Sequence, residues 1–520
     1  MTVKKLEVRK ETYRDSITML RVSGELGKLE GVNQAAAVMA TQLNKKILKD
    51  IGFSGPEIDA ARADDMIVAI EASDDLHLDQ ALEKLDELLS SKVSTPSLEK
   101  QLPKTLNAAI LQLPEANMAV ISVPGEFASR EASNALNNGL NVFLFSSNVA
   151  IEDECELKRI ATSRGLLMMG PDCGTSIINN TVLGFGNVLT SGPVGIASAS
   201  GTGVQQVSTL LDSAGIGISQ AIGTGGNDLN DRVGGLTMIQ AIRLLNHDPQ
   251  TKLIILISKP PGPSTAAKVL QEVAHCAKPV IVNFLGSNQE VTGNNSVAST
   301  LEEAANLACQ RLGKSSIPMD NEDSIQVAIS EIQKLAPSQK YIRGLFSGGT
   351  LCYESQVVMI PQLGEIYSNA PLIKRMQIDG EADNSSGHVC IDMGAEEFVL
   401  GRAHPMMDFT LRKLRILKEA KDPSVAVILL DVLLGYGSNP DPASEIASAV
   451  REAKKIAVSA GRYLSVVASL IGTRGDFQGI EGQKKILSDA GVILEKSNAA
   501  AARMAVRIAL RETTGGKSDE

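Results

Sequence analysis

Along most of the chain, apolar runs of about four to eight residues alternate with longer stretches whose apolar positions recur at helical spacing. Such alternation predicts strands joined through crossover helices, and hence parallel sheets. In residues 1–92 the pattern predicts strand 3–9, helix 13–27, strand 32–39, helix 41–51, strand 66–71 and helix 75–91. This first unit reads as a small α/β domain without a Gly-rich phosphate turn. The polar stretch "SSKVSTPSLEKQLPKT", residues 90–105, reads as a linker.

A βαβ series follows. Strand 118–124 leads to helix 126–138, "NVFLFSS" to helix 151–164, and "LLMMG" to the loop "GPDCGT". A second series starts at strand 194–199 and runs through "GISQAIG", strand 253–259 and strand 279–286. Residues 313–338 hold a polar connection and a helix, and read as a boundary. A third series takes strands 342–348, 388–394, 426–437 and 464–472, and the polar last dozen residues read as disordered. The fold class is therefore α/β, with parallel-sheet domains in series behind a small α/β N-terminal domain. The expected domains are 1–92, 106–190, 191–315 and 338–512.

Composition narrows the functions. The chain has 520 residues, a net charge of −10 and a pI near 5.3, which argues against nucleic acid or an anionic membrane as partner. No apolar run approaches the ~18 residues of a membrane span. The N-terminus lacks the apolar core of a secretory leader. Six scattered cysteines, with neither CxxC nor metal-ligand spacing, fit reduced thiols in a cytoplasmic protein and no metal site.

Three Gly-rich loops follow strands. "SASGTGVQQ" ends a strand and opens a helix, so Ser200, Gly201, Thr202 and Gly203 can present N–H groups, hydroxyls and a helix dipole to an anion. It lacks the Walker lysine and the full dinucleotide spacing, and a plain strand–helix turn with a Ser cap fits it too. Gly225, Gly226, Asn227 and Asp228 form a second loop. Gly170, Pro171, Asp172, Cys173, Gly174 and Thr175 form a third. Ligands bind at the carboxyl ends of strands in open α/β sheets, so the three can share one crevice. Cys173 reads either as a thiolate nucleophile or as a small residue tucked into its turn, and the neighbouring Asp172 disfavours the thiolate. Lys259, at a strand end before two prolines, is a candidate anion ligand and a partner for Asp172, although a solvated lysine is common there. Arg402, His404 and Asp408 gather before a helix, either for acid–base or anion work or as a helix cap with a packed imidazole.

With these loops placed, the stretch "MAVISVPGEFASREAS…GLLMMGPDCGTSII" resembles the second half of the CoA-binding domain of the succinyl-CoA synthetase α subunit. "GPVGIASASGTGVQQV…KPVIVNFLG" is similar to that subunit's second domain, in which the matching turn holds the active-site phosphate. Residues 340–510, with "CIDMGAEEF" and "VILLDVLLGYG", resemble the flavodoxin-like C-terminal domain of the β subunit. The order of elements resembles the FdrA family of acyl-CoA-synthetase-like proteins. The resemblance implies a Rossmann-like domain followed by two flavodoxin-like domains.

The departures bear on activity. The carrier histidine of succinyl-CoA synthetase would follow strand 279–286, where "GSNQEVTGNNSVASTLEE" has none. Lys259 stands where the glutamate that orients the carrier would be. An ATP-grasp domain and the first CoA-binding glycine loop have no counterpart, which argues against bound CoA. FdrA-type proteins imply an oxamate carbamoyltransferase subunit in ureide catabolism. On that reading phosphate or carbamoyl phosphate sits at Ser200–Gly203, with Lys259 as electrostatic stabiliser and Asp172 and His404 as catalytic candidates. Other subunits of a complex and a homo-oligomer are the implied partners. Two alternatives stand beside it: an acyl-CoA ligase whose nucleotide domain is on another chain, and a non-catalytic ligand-binding or scaffold subunit.

Overall fold

A computed structural model describes residues 2–90, 103–318, 322–378 and 385–512. Most of the expected linker and the last eight residues lie outside these. The chain divides into two compact units, Met1–Gln101 with Met393–Leu411, and Leu102–Asp392 with Arg412–Glu520.

The first unit is a three-stranded antiparallel sheet of β1 (Val3–Arg9), β2 (Val32–Met39) and β3 (Met66–Ala72), in the order β1-β3-β2. The central strand is apolar on both faces, so helices must cover both. Met66, Val68 and Ile70 pack with α1 (Ser16–Gly27) and α4 (Asp75–Ser90), while Ile67 and Ala69 pack with α2 (Gln42–Asp50) and α3 (Pro56–Ala60). Helix α1 begins at residue 16 rather than the expected 13, because the Asp15 carboxylate caps it by accepting from the Thr18 N–H at 2.9 Å. The segment "GRAHPMMD", expected in the last domain, belongs to this unit instead. Arg402 donates to Asn44 Oδ1 at 2.9 Å and pairs with Asp408, which ties the segment to α2.

The second unit begins with α5 (Leu106–Gln112) and a parallel sheet of β4 (Met118–Ile121), β5 (Asn141–Leu144) and β6 (Met168–Met169), whose crossovers are α6 (Gly125–Asn137) and α7 (Ile151–Ser163). The chain leaves this sheet earlier than the expected boundary at 190. The hairpin β7 (Thr175–Ile178) and β8 (Thr181–Gly184) already joins the next sheet, with β7 antiparallel to its neighbour. That sheet continues with β9 (Ser191–Ser198), α8 (Gly201–Ser213), β10 (Ile218–Gly223), α9 (Leu236–His247), β11 (Leu253–Ser258), α10 (Pro263–Ala274), β12 (Val280–Phe284), β13 (Ser296–Val297) and α11 (Leu301–Arg311). Its order is β13-β12-β11-β9-β10-β7-β8, so the winding direction reverses between β9 and β11.

After α12 (Glu322–Ile332) the last sheet is built from β14 (Tyr341–Phe346), α13 (Gly349–Leu363), β15 (Ile366–Ser368) and β16 (His388–Asp392). It is completed, beyond α14 (Glu396–Val399) and α15 (Thr410–Ala420), by β17 (Val425–Leu433), α16 (Pro442–Ser459), β18 (Ser465–Ile471), α17 (Ile480–Asp489), β19 (Ile493–Glu495) and α18 (Asn498–Leu510). The order β15-β16-β14-β17-β18-β19 reverses between β14 and β17. Strands β11 and β17 are buried throughout, as strands covered on both faces must be. Each reversal leaves a crevice at the carboxyl ends of its strands, the usual place for a ligand. No helix among the described residues is long and apolar enough to cross a membrane.

Candidate active site

The first crevice forms where β9 meets α8. Ser200 is the N-cap and its Oγ accepts from the Gly203 N–H at 2.9 Å. The N–H groups of Gly201 and Thr202 precede the first intrahelical acceptors, and such groups turn a helix start toward an anion. The Thr175 hydroxyl, buried and without a protein hydrogen-bond partner, lies 3.0 Å from where a Cβ on Gly201 would stand. The other two Gly-rich loops pack against the same end of the sheet. A Cβ on Gly225 would lie 2.3 Å from Pro171 O, and one on Gly226 would lie 2.8 Å from Asp172 Oδ2.

Two residues of these loops face inward. Asp228 is fully buried, accepting from Lys158 Nζ at 2.8 Å and from the N–H groups of Thr237 (3.2 Å) and Met238 (2.8 Å) at the start of α9. The Cys173 Sγ lies 3.5 Å from Ser176 Oγ and faces Gly223, and burial pushes its thiol up to about 12. A thiol held neutral in this way is a packing group rather than a nucleophile. Asn227 remains at the surface and hydrogen-bonds the Glu154 carboxylate.

The third sheet brings a second helix start to this place. Gly348 caps α13 in an extended conformation, and a Cβ on it would lie 2.8 Å from the Thr202 methyl. Ser347 fixes the turn, because its N–H donates to Asp431 Oδ1 at 2.8 Å and its hydroxyl donates to the same carboxylate. Arg412 braces that carboxylate's strand, donating to Asp431 O at 2.7 Å and Leu345 O at 3.0 Å. Lys259 leaves β11 and reaches the same turn. A Cβ on Gly349 would lie 2.6 Å from the Lys259 ammonium and 2.7 Å from Asp392 Oδ2. The ammonium also stands 5.6 Å from the centre of the Tyr353 ring, a cation–π arrangement.

Lys259 acts on Asp172 through its field, and no direct ion pair joins the two. Asp172 retains contact with solvent at the crevice mouth, yet protein surrounds its carboxyl. That desolvation, with Asp392 and Glu154 adding to it and Lys259 opposing, raises its pKa to about 6. The structure thus gathers Ser200–Gly203, Gly170–Thr175, Gly225, Gly226 and Lys259. His404 lies in the first unit, where its Nδ1 accepts from the Met406 N–H at 3.2 Å.

Gly348, Gly349, Tyr353 and Asp392 are the residues that sequence reasoning missed. One signal for them was present: "FSGGT" before a helix repeats the strand–Ser-Gly–helix grammar of "SASGTG".

The chain aligns with the Escherichia coli (strain K12) protein YahF, named as uncharacterized, at 42% identity over 497 residues, covering 95% of this chain and 96% of that one. The chain belongs to the YahF family. Residues 345–508 of this YahF-family chain match the CoA-ligase family. Succinate–CoA ligase (ADP-forming) subunit alpha 2 of Archaeoglobus fulgidus is 28% identical over 173 residues, covering 32% of this chain. The chain spans 58% of that relative's length. A solved structure, the dinucleotide-forming acetyl-coenzyme A synthetase 1 of Ca. Korarchaeum cryptofilum, aligns at a TM-score of 0.27 and 18% identity, covering 76% of this chain and 83% of that one. This YahF-family protein is acyl-CoA-synthetase-like, as the resemblance implied.

Residues 1–104 match a family described as AllF, heavy metal-associated domain. Their donor set does not suit a soft metal ion. No cysteine occurs there, Met19, Met39 and Met66 are buried in the core, and His77 is engaged with Asp74 at 2.7 Å. Among the described residues no group of three His, Cys, Asp or Glu is placed to hold a metal.

Proposed function

We propose that this chain is an FdrA-type subunit that transfers an acyl group by way of an acyl phosphate, with carbamoyl phosphate as the acyl phosphate. The observation that carries this reading is the meeting of two helix N-termini, at Thr202 and Gly348, beside the Lys259 ammonium. Backbone donors and one fixed cation suit a phosphoryl group, and they would stabilise negative charge as the acyl–phosphate bond forms or breaks. The phosphate binds directly rather than on a carrier. His247, His275 and His388, the histidines of this unit, stand at the far ends of α9, of α10 and of β16 from the cradle loops. His388 Nδ1 accepts from the Ile342 N–H, and burial lowers its pKa to about 4. The acceptor of the acyl group, any nucleotide-using step and the remaining subunits belong to partner chains, with a homo-oligomer as the expected assembly.

Calorimetry with inorganic phosphate tests the cradle. Wild type binds, and Lys259→Met weakens binding roughly tenfold to a hundredfold, the worth of about 1.5–3 kcal/mol for a bond to a charged group. Unchanged affinity in that variant would falsify the placement. The CoA-ligase match of residues 345–508 favours a second reading, an acyl-CoA ligase completed by another chain. Tight CoA binding by the purified protein selects that reading, whereas phosphate-dependent cleavage of oxalurate by the assembled subunits selects carbamoyl transfer.

A further inference from the structure

Lys259 leaves the end of β11 as a cation that no protein anion neutralises directly. Among the described residues no carbonyl accepts from its ammonium, and no carboxylate stands within ion-pair distance of it. Two positions of α13 hold its end instead. At Gly349 the helix has no side chain, and a Cβ there would lie 2.6 Å from Lys259 Nζ and 2.9 Å from its Cε. At Tyr353 the ring face takes the ammonium 5.6 Å from the ring centre. The two residues are four apart and share one face of the helix. A bare backbone followed one turn later by an aromatic ring makes a notch that fits the end of a lysine.

The kind of contact decides what the cation can do. A carboxylate would take up the N–H groups of the ammonium and cancel its charge. A ring attracts it through the negative face of the π system and leaves those N–H groups unspent. Held in this way, an ammonium keeps three donors and its charge for a bound anion. Asp172 and Asp392 add an attractive field around Lys259. A field draws the cation toward the crevice, whereas the ring and the glycine fix where it sits.

We infer that Tyr353 is a positioning residue of this site: its ring, with the bare backbone of Gly349, holds the Lys259 ammonium where its N–H groups meet a bound oxyanion. The role toward the anion rests on the cradle proposed above, whereas the placement of the lysine does not. Tyr353 acts through its ring, so phenylalanine can stand in for it and an aliphatic side chain cannot.

Two measurements on the full-length chain separate these parts. For the placement, the lysines are dimethylated with carbon-13 formaldehyde and a reductant, which keeps their charge, and the Lys259 methyl resonance is assigned by its loss in Lys259→Met. The ring current shifts it upfield in wild type and in Tyr353→Phe, and the shift vanishes in Tyr353→Leu. A wild-type resonance at the position of the surface lysines overturns the assignment. For the role toward the anion, calorimetry with inorganic phosphate is expected to show Tyr353→Leu binding roughly threefold to thirtyfold more weakly than wild type, the range of a cation–π contact. Tyr353→Phe loses less than Tyr353→Leu, and Tyr353→Met serves if the leucine variant fails to fold. With Lys259→Met already present, Tyr353→Leu has no further effect, because no cation is left to place. An equal loss with and without Lys259→Met overturns the positioning role, since general disturbance of α13 would produce it. Failure of wild type to bind phosphate overturns the cradle, and the methyl resonance still decides whether Tyr353 holds Lys259.

Discussion

Asp172 and Cys173 are adjacent in sequence, yet their surroundings give them opposite characters. The Asp172 carboxyl, raised to about 6, changes charge within an accessible pH range. A carboxyl whose pKa is raised is neutral below that value, so a fall in pH through about 6 removes a negative charge from the proposed anion site. Sulfate is a suitable probe, because its charge is constant over this range. Its affinity is expected to rise as pH falls from 7 to 5, and Asp172→Asn is expected to flatten the profile; a wild-type profile flat over that range sinks the assignment. Cys173 behaves as a buried small residue. With its thiol pushed up to about 12, it is expected to resist iodoacetamide in the folded protein at neutral pH. Cys173→Ala should bind sulfate as wild type does, and a marked loss would return the thiol to the site. The loop "GPDCGT" was legible as the turn that follows a strand, whereas the character of each of its residues was not, because that comes from desolvation by residues far along the chain.

At the scale of elements, caps and buried charges set the geometry of the helix starts. Removal of the Ser200 hydroxyl in Ser200→Ala is expected to cost about 1 kcal/mol in denaturant unfolding, an ordinary N-cap loss. Asp228 has a larger structural role than a loop residue usually has. It neutralises Lys158, whose ammonium also meets Glu154 at 2.8 Å and Thr224 O at 2.9 Å, all of them buried. Asp228→Ala strands much of that charge and is expected to cost about 3 kcal/mol, the lower end for a broken buried pair because Glu154 remains. A loss within the range of ordinary surface substitutions would show that water reaches Lys158. In sequence Asp228 read as a crevice wall because Lys158 lies 70 residues earlier, beyond the reach of any local pattern.

Across the second unit, the two sheets that meet at the proposed cradle are joined by polar contacts between helices. The Glu354 carboxylate, fully buried on α13, accepts from the Leu301 N–H at the start of α11 (2.7 Å) and from Asn498 Nδ2 at the start of α18 (2.8 Å). Asn498 in turn donates its N–H to Gln206 of α8 at 3.0 Å. Burial raises the Glu354 carboxyl to about 7, with the neighbouring Glu302 adding to it; Glu302 is itself paired with Arg503. Below the ordinary carboxylate range both folded and unfolded chains are protonated here. Between about 4.5 and 7 only the unfolded chain ionises fully, so stability falls as pH rises through that window, by up to about 3 kcal/mol. Thermal unfolding from pH 5 to 8 is expected to show this decline in wild type and a shallower one in Glu354→Gln. Identical slopes would remove Glu354 from the account.

The sequence by itself determined the class of the fold and its longer strands, because apolar periodicity and turn chemistry are local properties that a chain displays whatever it packs against, whereas the short strands β7, β8, β13, β15 and β19 were not legible in it. It also determined that three Gly-rich loops end strands, whereas only the tertiary structure decided that the loop after β6, in one sheet, packs against the loops after β9 and β10 in the next. Only the tertiary structure decided which sheet the hairpin after residue 174 joins, and that "GRAHPMMD" serves the first unit. Only it decided that a second helix start, with Asp392 and Tyr353, stands beside Lys259. Those outcomes depend on pairings between residues tens to hundreds of positions apart. Their strength comes from shared burial and charge, which a local pattern does not display.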